Sequence, residues 1–491
     1  MKSACTLDGT AIPAAKTLLL GALEAGLSVP HLCHHPALPP GQACGLCVVV
    51  DESTGKLVPA CATPVASGCH YTSHSPAVQE ARFKALKRLM DNHPLECPVC
   101  EKSGECVPQA TIFQWNGVLP ESKPGPTVPP VAIGPGLLLY PQRCVACGLC
   151  VSFMEAVAGK SPLILEQSSS PPISFVGPPM DHRYALTLPE LCPVGALVAA
   201  FNVGTSPAWT LSPLATVCGE CTATCTVFVD VDSTNIRRVR SRPQPEEPFW
   251  ICDQGRRALV AQAENRLTEI RLRPQGRPEE TVDADAGVEA VACWTRNLPP
   301  GQRLAFVLDG FATMESAADF LALVLAAGES TVFLGLEEAE EGDAVRYTGQ
   351  HGPNRLGLER LCVQLGLELK PLDSLFAKGS MADVGGLISA GSRYALRPLP
   401  GDAILSMAVV MSSSAGEVAD KSTHVFPIPS TLEEQGTWIT PQGVRTLAPM
   451  PSRHKSPSIS EWSSRLGVAL FPSSFSQAQE KARAALREVV Q

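Results

Sequence analysis

The chain carries 19 cysteines, and most of them lie in short groups with the spacing of metal ligands. All but Cys293 and Cys362 precede residue 253. Because a reducing cytosol keeps thiols from pairing as disulfides, metal binding is the first interpretation of such groups in a cytosolic protein. The sequence therefore divides into a metal-binding first half and a second half with few candidate ligands.

The first group has one close pair of cysteines and two distant ones, spaced C-x10-C-x2-C-x13-C. Its members are Cys33, Cys44, Cys47 and Cys61. Plant-type 2Fe-2S ferredoxins also use four thiolates, and Gly41 and Gly45 would leave backbone N–H groups free to hydrogen-bond cluster sulfurs. A zinc ribbon normally has two close pairs, so structural zinc is the less favoured alternative.

The second group combines one histidine with three cysteines in the pattern H-x3-C-x2-C-x5-C. Its members are His93, Cys97, Cys100 and Cys106. Pro94 and Pro98 stiffen this loop, so its side chains lose less entropy when they converge. Sulfur-rich ligation selects zinc or an iron–sulfur cluster, and the spacing alone leaves both open.

The third group follows the C-x2-C-x2-C run of bacterial ferredoxins, in which a fourth cysteine ligates a neighbouring cluster. Here that position is Met154, and a distant cysteine followed by proline takes its place. The predicted ligands of one 4Fe-4S cluster are Cys144, Cys147, Cys150 and Cys192.

The fourth group has the spacing C-x2-C-x3-C-x26-C and contains Cys218, Cys221, Cys225 and Cys252. It resembles the 4Fe-4S segment that opens molybdopterin-dependent oxidoreductases. A zinc site remains an alternative, since two of the cysteines would suit a zinc knuckle. The four other cysteines have no partners at ligand spacing and are predicted to act as small buried hydrophobic residues: Cys5, Cys69, Cys293 and Cys362.

Short elements must position the first two groups. The segment "CTLDG" predicts a strand, "KTLLLGALEAGL" a helix with Leu19, Ala22, Leu23 and Leu27 on one face, and "CVVVD" a second strand, which is an order typical of a β-grasp fold. The segment "VQEARFKALKRLM" predicts an amphipathic helix that ends before Pro94. Its expected apolar face contains Val78, Ala81, Ala85 and Leu89, with Arg82, Lys84, Lys87 and Arg88 largely elsewhere.

The second half alternates predicted strands and helices, with "RLAFVLDG" and "AILSMAVVMSSS" as strands and "TMESAADFLALVLAAG" as a helix. It has neither a G-x-G-x-x-G after the first strand nor a G-x4-G-K-[ST], so no dinucleotide or ATP site is predicted. The segment "VADKSTHVFPIPSTLEEQGTWITPQGVRTLAP" is similar to molybdopterin oxidoreductases. The region is too short for their several lobes, which predicts a cofactor-free scaffold.

The segment "LMDNHPLECPVCEKSGECVPQ" resembles the signature of the large iron–sulfur subunits of respiratory NADH-quinone oxidoreductases, and "VPHLCHHPALPPGQACGLCVV" resembles their 2Fe-2S loop. The resemblance implies that the group of His93 binds a 4Fe-4S cluster. The group of Cys144 matches the family as well. The fourth group lies in a segment that the family shares but does not always furnish with ligands. Both N-terminal modules also occur in diaphorase subunits of NAD-reducing hydrogenases and in NAD-linked formate dehydrogenases.

Together these features predict an α+β multidomain chain with one 2Fe-2S cluster, three 4Fe-4S clusters and no molybdenum cofactor. The predicted domains are a β-grasp 2Fe-2S ferredoxin (1–77), the histidine-containing 4Fe-4S segment (78–120), a 4Fe-4S ferredoxin-like domain (130–207), a molybdopterin-oxidoreductase-type 4Fe-4S segment (210–272) and a shortened α/β molybdopterin-oxidoreductase-like domain without cofactor (275–491).

The family resemblance implies an electron-relay subunit of a proton-translocating NADH:quinone oxidoreductase. A flavin-containing, NADH-binding partner and other peripheral-arm subunits are expected, because the chain has no complete site for hydride or quinone chemistry. One alternative is a diaphorase or catalytic subunit of an NAD-linked formate dehydrogenase or hydrogenase. Another is a zinc-stabilised interaction scaffold without electron transfer.

Charge and hydropathy exclude other classes. The net charge is -9 and the basic residues are scattered, so nucleic acid is not an expected partner. No apolar run approaches the length of about 18 residues that suggests a membrane-spanning helix. The N-terminal "KSACTLDGT" has the character of neither a secretory signal nor a transit peptide. We therefore expect a cytoplasmic protein, peripheral to the inner membrane through its partner subunits.

Overall fold

The structure is a computed structural model of the chain. It describes residues 4–91, 93–114, 128–166, 169–233, 235–242, 249–261, 266–273, 278–335, 339–377, 379–391, 407–415, 417–449 and 455–490. The chain forms two compact units, Met1–Leu211 and Ser212–Gln491.

The first unit consists of short strands and helices separated by long loops. Its described elements are β1 (Thr6–Leu7), β2 (Thr10–Ala11), α1 (Leu18–Glu24), β3 (Val48–Asp51), β4 (Leu57–Pro59), β5 (His70–Thr72), α2 (Pro76–Met90), α3 (Val107–Gln114), β6 (Val131–Gly134), β7 (Leu137–Leu139), α4 (Leu149–Ala158), β8 (Leu163–Leu165), β9 (Ile173–Phe175), α5 (Thr187–Leu191) and β10 (Leu197–Ala199).

The N-terminal strands form a mixed sheet in the order β2-β1-β5-β3-β4, in which β1 and β5 are parallel and the other pairs are antiparallel. Helix α1 begins after Thr17, whose side chain accepts a hydrogen bond from Leu20 N–H, and it buries Leu18 and Leu19 in the core of this domain. This arrangement fits the predicted β-grasp domain. The predicted apolar face of α1 is wrong at Leu23, which is 39% exposed.

Helix α2 confirms the predicted helix but not its full buried face. Val78 and Ala85 are buried as predicted, whereas Ala81 and Leu89 are only partly buried. Arg82 is buried, and its Nη2 donates to the carbonyl of Val48 at 3.0 Å, while its Nε has no partner among the described residues. The prediction from charge, which placed Arg82 away from the apolar face, is therefore wrong.

The rest of the first unit is built around two small antiparallel sheets. Strands β10, β7 and β6 form one sheet, in that order, and β8 pairs with β9. Helix α4 begins at Leu149 after Gly148, whose φ of 82° suits glycine. Helix α5 ends at Leu191, directly before Cys192. The start of α4 and the end of α5 therefore lie beside predicted cluster ligands.

The second unit combines an antiparallel sheet with a large α/β sheet. Its described elements are β11 (Ser212–Val217), β12 (Thr226–Asp232), β13 (Asn235–Ser241), α6 (Asp253–Ala261), β14 (Ile270–Leu272), β15 (Glu280–Val282), α7 (Ala284–Arg296), β16 (Arg303–Asp309), α8 (Met314–Ala326), β17 (Thr331–Gly335), α9 (Arg355–Leu365), β18 (Glu368–Pro371), β19 (Val384–Ala390), β20 (Met407–Ser412), α10 (Glu417–Lys421), β21 (His424–Pro427), β22 (Gly436–Thr440), β23 (Gly443–Leu447), α11 (Ile459–Leu470) and α12 (Phe475–Val490).

The large sheet has the strand order β15-β14-β21-β20-β19-β16-β17-β18. The strands from β21 to β18 are mutually parallel, and β14 and β15 extend one edge in antiparallel fashion. Numbered along the chain, the parallel strands follow the doubly wound order 3-2-1-4-5-6, whose switch point lies between β16 and β19. In such sheets ligands usually bind at the switch point.

The residues of strand β16 show that both faces of this sheet are buried. Leu304, Phe306 and Leu308 enter one large apolar cluster, which also contains side chains of α8, α9, α11 and α12. Ala305 and Val307 belong to a separate apolar cluster, as the alternation of a strand requires. A strand that is buried on both faces is typical of a parallel sheet covered on both sides.

The predicted strand "RLAFVLDG" and the helix after it correspond to β16 and α8, and "AILSMAVVMSSS" corresponds to β20. Residues 403–406 of that segment lie outside the described residues. The sheet begins earlier than the predicted domain start at 275, since β14 pairs with β15 and β21. None of the helices in the described ranges has the length and apolar character needed to cross a membrane.

Replacing Leu321 on α8 by alanine should destabilise the second unit by about 2–5 kcal/mol, because the side chain is fully buried and its removal leaves a cavity. The matched control is Val363→Ala on α9, where the side chain is 79% exposed and the cost should stay below about 0.5 kcal/mol. Chemical unfolding followed by circular dichroism measures both. Equal costs would contradict the packing described for α8.

Candidate metal centres

The structure brings the four cysteines of the first group together in the loops that flank α1 and β3. All four are buried: Cys33, Cys44, Cys47 and Cys61. The Cys33 thiol hydrogen-bonds the Cys44 sulfur, which lowers the pKa of Cys44 to about 5 and raises the pKa of Cys33. Cys61 and Cys47 form a second such pair, and the charges of Cys33 and Cys44 also help to raise the pKa of Cys61.

Backbone N–H groups in the loop before β3 point at these sulfurs. Cys44 N–H donates to Cys33 Sγ at 3.4 Å, and Leu46 N–H donates to Cys44 Sγ at 3.5 Å. Gly45 adopts a φ of 71°, a left-handed conformation that suits glycine. The loop therefore presents donors of the kind that stabilise the thiolates of a bound cluster.

The second group occupies the loop between α2 and α3. Burial raises the pKa of the Cys106 thiol to about 11, and the charges of Cys100 and Cys97 add to this effect, so these three sulfurs are neighbours. All three side chains are half-buried. Of the four predicted sites, this one has the greatest number of ligands within reach of the surface.

His93 is buried, and its Nδ1 atom has no hydrogen-bond partner among the described residues. Burial lowers its pKa, and the positive charge of Arg143 lowers it further. The imidazole is therefore neutral near pH 7, the form that binds metals. A buried ring nitrogen without a partner fits a ligand.

Arg143 connects the second and third groups, and sequence reasoning missed it. Its Nε donates to Glu96 Oε2 and its Nη1 to Glu101 Oε2, each at 2.9 Å. Nη1 also donates to the carbonyl of Gly195, three residues after Cys192, at 3.3 Å. Burial alone would lower the pKa of Arg143, but the Cys100 sulfur and the two carboxylates raise it. The sequence offered one signal for the role of Arg143, which is its position directly before Cys144.

The third group comes together at the start of α4 and the end of α5. Burial raises the pKa of Cys150 well above its usual value, and the charges of all three partner sulfurs add to this. Ala146 N–H donates to Cys144 Sγ at 3.4 Å. The three partners are Cys144, Cys147 and Cys192.

The first and third groups lie next to each other. A Cβ atom at Gly41 would stand 2.8 Å from the carbonyl oxygen of Cys147, so the 2Fe-2S loop packs directly against the third group. The charge of Cys44 is among those that raise the pKa of the buried Cys147. A cavity of about 450 Å³ is lined by residues of the 2Fe-2S loop, by His93 and by Cys144. Three predicted sites therefore share one region of the first unit.

The fourth group lies in the second unit, in the loop between β11 and β12 and directly before α6. Burial raises the pKa of Cys252 to about 12, and the charges of Cys225 and Cys221 contribute. Burial also raises the pKa of Cys218 well above its usual value, and the charges of Glu220, Cys225 and Cys252 add to this. Gly255 N–H donates to Cys252 Sγ at 3.4 Å. A Cβ at Gly255 would lie only 2.9 Å from Cys218 Sγ, so glycine keeps the space between these sulfurs open.

The remaining cysteines lie outside the four groups. Cys5 and Cys362 are buried, as predicted for small hydrophobic residues, and Cys69 is half-buried. The prediction is wrong for Cys293, which is exposed on α7. Within the described residues, no set of three or more His, Cys, Asp or Glu side chains converges closely enough to bind a single metal ion.

Three family profiles match segments of the first unit. A family profile described as "2Fe-2S iron-sulfur cluster binding domain" matches residues 4–76. A profile described as "NADH-ubiquinone oxidoreductase-G iron-sulfur binding region" matches residues 82–116, and "NADH-quinone oxidoreductase subunit 3, ferredoxin-like domain" matches residues 134–198. The chain therefore carries a 2Fe-2S domain followed by 4Fe-4S binding domains.

Curated relatives agree with these profiles. The G subunit of NADH-quinone oxidoreductase from Streptomyces coelicolor is 33% identical over 303 residues, which are 58% of this chain and 36% of the relative. NADH-quinone oxidoreductase subunit 3 of Thermus thermophilus is 27% identical over 56% of this chain and 40% of that protein. The NADH-ubiquinone oxidoreductase 75 kDa subunit of Reclinomonas americana is 27% identical over 67% of this chain and 48% of its own length.

The chain spans between about a third and a half of the length of these curated relatives. Among solved structures, a chain of an NAD+-reducing [NiFe]-hydrogenase in the H2-reduced state aligns with a TM-score of 0.38 and 33% sequence identity. That alignment covers 42% of this chain and 91% of the other.

Gly255→Ala should remove about four iron atoms per chain, because the added methyl group would occupy the space beside Cys218 Sγ that a 4Fe-4S cluster needs. Gln254→Ala changes the same turn of α6 and should keep the full iron content. Iron analysis of the two anaerobically purified variants compares them directly. Wild-type iron content in Gly255→Ala would contradict a cluster at the fourth group.

Proposed function

We infer that the chain, a relative of the large iron–sulfur subunits of NADH-quinone oxidoreductase, is an iron–sulfur relay that passes electrons from an NADH-oxidising flavoprotein partner towards quinone. We assign one 2Fe-2S cluster to Cys33, Cys44, Cys47 and Cys61. Three 4Fe-4S clusters are assigned to the groups that begin at His93, Cys144 and Cys218. NADH and quinone chemistry belongs to partner subunits.

The observation that carries this proposal is the direct packing of the first and third groups. The Gly41 loop lies on the backbone of Cys147, and the charge of Cys44 acts on the Cys147 thiol. Metal sites that only stabilise separate loops do not have to lie next to each other. Adjacent sites, by contrast, suit electron transfer, for which successive carriers must be close.

Arg143 extends the relay to the second group. It lies directly before Cys144 in the chain, and its guanidinium holds Glu96 and Glu101, which flank Cys97 and Cys100. The geometry favours the order of the first, third and second groups. The second group, with half-buried cysteines, is then the end of the row from which an electron leaves for a partner.

An iron–sulfur cluster supplies a one-electron carrier whose reduction potential depends on its ligands, on hydrogen bonds to sulfur and on burial. The chain's own residues control these three factors. Cys44 and Ala146 donate backbone N–H groups to neighbouring sulfurs. His93 contributes a neutral imidazole where the other sites have an anionic thiolate, so its site should have the higher potential for its environment.

The α/β part of the second unit serves, in this proposal, as a scaffold without a molybdenum cofactor. Side chains of the protein hold the loop that follows β16 in place. Trp438 Nε1 donates to the carbonyl of Phe311 at 3.1 Å, and Asn354 Nδ2 donates to that of Ala312 at 2.7 Å. Glu434 accepts hydrogen bonds from Ser316 and Thr313, and its burial raises its pKa to about 7. These hydrogen bonds within the protein support a structural role for this part of the chain.

Metal and sulfide analysis tests the proposed set of clusters. The anaerobically purified protein should contain about fourteen iron atoms and as many acid-labile sulfides per chain, since the quartets imply one 2Fe-2S and three 4Fe-4S clusters. Zinc and molybdenum should be absent. Stoichiometric zinc with little sulfide would overturn the relay in favour of a zinc-stabilised scaffold. One molybdenum per chain would overturn the scaffold role of the α/β part.

The second and fourth groups should differ in their importance for turnover. The matching family profiles end at residue 198, before Cys218, and the family resemblance implies that a cluster at the fourth group is optional. Cys252→Ser should therefore abolish one 4Fe-4S EPR signal and lower thermal stability, because metal binding and folding are coupled. Assembled complex with this variant should keep most of its NADH-to-quinone turnover.

Cys97→Ser is the comparison for that variant, because it removes a ligand from a proposed relay site. Turnover per assembled complex should fall nearly to zero in Cys97→Ser. An equal loss in the two variants would show that the fourth group also lies on the electron path.

A further inference from the structure

We propose that Arg346 hydrogen-bonds the Cys225 sulfur when the fourth group holds its cluster, and that it raises the reduction potential of that cluster. The inference rests on the proposed 4Fe-4S site at Cys218, Cys221, Cys225 and Cys252. It gives one side chain, far from these cysteines in sequence, control over when that cluster is reduced.

The contact is direct. The Nε–H of Arg346 donates to Cys225 Sγ at 2.8 Å, and the cysteine is buried. An arginine side chain remains protonated under all ordinary conditions, so the hydrogen bond to a thiolate is charge-assisted. A second donor at this site, Gly255 N–H on Cys252 Sγ, is a neutral backbone group.

The loop that carries Arg346 is held in shape by its own hydrogen bonds. Asp343 Oδ1 accepts from the backbone N–H groups of Val345, Arg346 and Tyr347, at 2.9, 2.8 and 3.1 Å. The hydroxyl of Tyr347 donates to Glu340 Oε2 at 3.0 Å. These contacts fix the backbone from which the guanidinium extends.

The same loop is also fastened to the cysteine segment. Thr222 N–H donates to the carbonyl of Gln350 at 2.8 Å, and its hydroxyl lies 2.9 Å from that of Thr348. His351 Nδ1 lies 3.0 Å from the carbonyl oxygen of Glu220. The loop that carries Arg346 is thus held both by its own hydrogen bonds and by the cysteine segment, which places the guanidinium beside Cys225.

The expected effect follows from electrostatics. Reduction adds a negative charge to a buried site, and a fixed positive charge beside a ligand sulfur stabilises that form more than the oxidised form. A hydrogen bond to the thiolate acts in the same direction by withdrawing charge from sulfur. Arg346 is therefore a positioning and tuning residue, and it should alter the potential without being required for cluster assembly.

The test is an EPR-monitored redox titration of the full chain, following the 4Fe-4S signal that Cys252→Ser removes. Arg346→Met should lower the equilibrium constant for one-electron reduction of that cluster at least tenfold, a shift of about 59 mV to more negative potential. Arg346→Lys keeps the charge and should restore most of the wild-type value. Arg296→Met removes an exposed arginine paired with Glu289 on α7 and should leave the potential unchanged.

The outcomes separate this inference from the function on which it rests. If wild-type protein has no signal that Cys252→Ser removes, the proposed fourth cluster fails, and the inference fails with it. If the signal is present and Arg346→Met leaves its potential at the wild-type value, the inference alone is overturned.

Arg346→Gln covers the case in which the methionine variant loses its iron, because glutamine keeps a neutral N–H donor. A potential below that of wild type in this variant supports the role of the charge. An unchanged potential in Arg346→Gln overturns it.

Discussion

Burial of many cysteine sulfurs close together is the constraint on which this protein depends. Metal ligation requires thiolates, yet burial and neighbouring sulfur charges raise the pKa values of Cys150, Cys218 and Cys252. At these three positions, the folded chain without metal therefore disfavours the charge state that a ligand needs. A bound cluster would supply the compensating positive charge, so its binding and the stability of these loops would be coupled.

Both units meet this constraint with the same kinds of group, backbone N–H donors and a guanidinium. In the first unit, backbone N–H groups point at Cys33 and Cys144, and the buried guanidinium of Arg143 lies beside Cys100. In the second unit, Gly255 N–H and the Arg346 guanidinium have the same role at Cys252 and Cys225. In both units, a positive charge compensates a sulfur-rich site from a neighbouring loop.

The grouping of the candidate ligands was predictable from sequence because most of each quartet lies within a short loop. The spacing was enough to predict which cysteines belong to the first, third and fourth groups. It also identified His93 as a candidate ligand, and its buried Nδ1, which has no partner among the described residues, fits that role. The helices and strands with strong periodicity, such as α8 and β16, were predictable for the same local reason.

The groups that surround the ligands were not predictable. Arg346 contacts a cysteine 121 positions away, and Arg143 reaches Glu96 across 47 positions. Neither contact follows a period in the sequence, because each depends on how distant loops pack. Arg82 shows the same limit, since a charged residue becomes part of the core when a buried carbonyl accepts its hydrogen bond. Pairing of β14 with β21 likewise joins segments that sequence patterns had separated.

The central claim is that the 2Fe-2S cluster and the cluster of the Cys144 group are adjacent carriers, as the packing of Gly41 on Cys147 suggests. Pulsed EPR on the protein with both clusters reduced measures the magnetic coupling between them. The account predicts a clear dipolar splitting of the 2Fe-2S signal that disappears when Cys147→Ser removes its neighbour. A 2Fe-2S signal with the same shape and relaxation in wild type and in Cys147→Ser would contradict it.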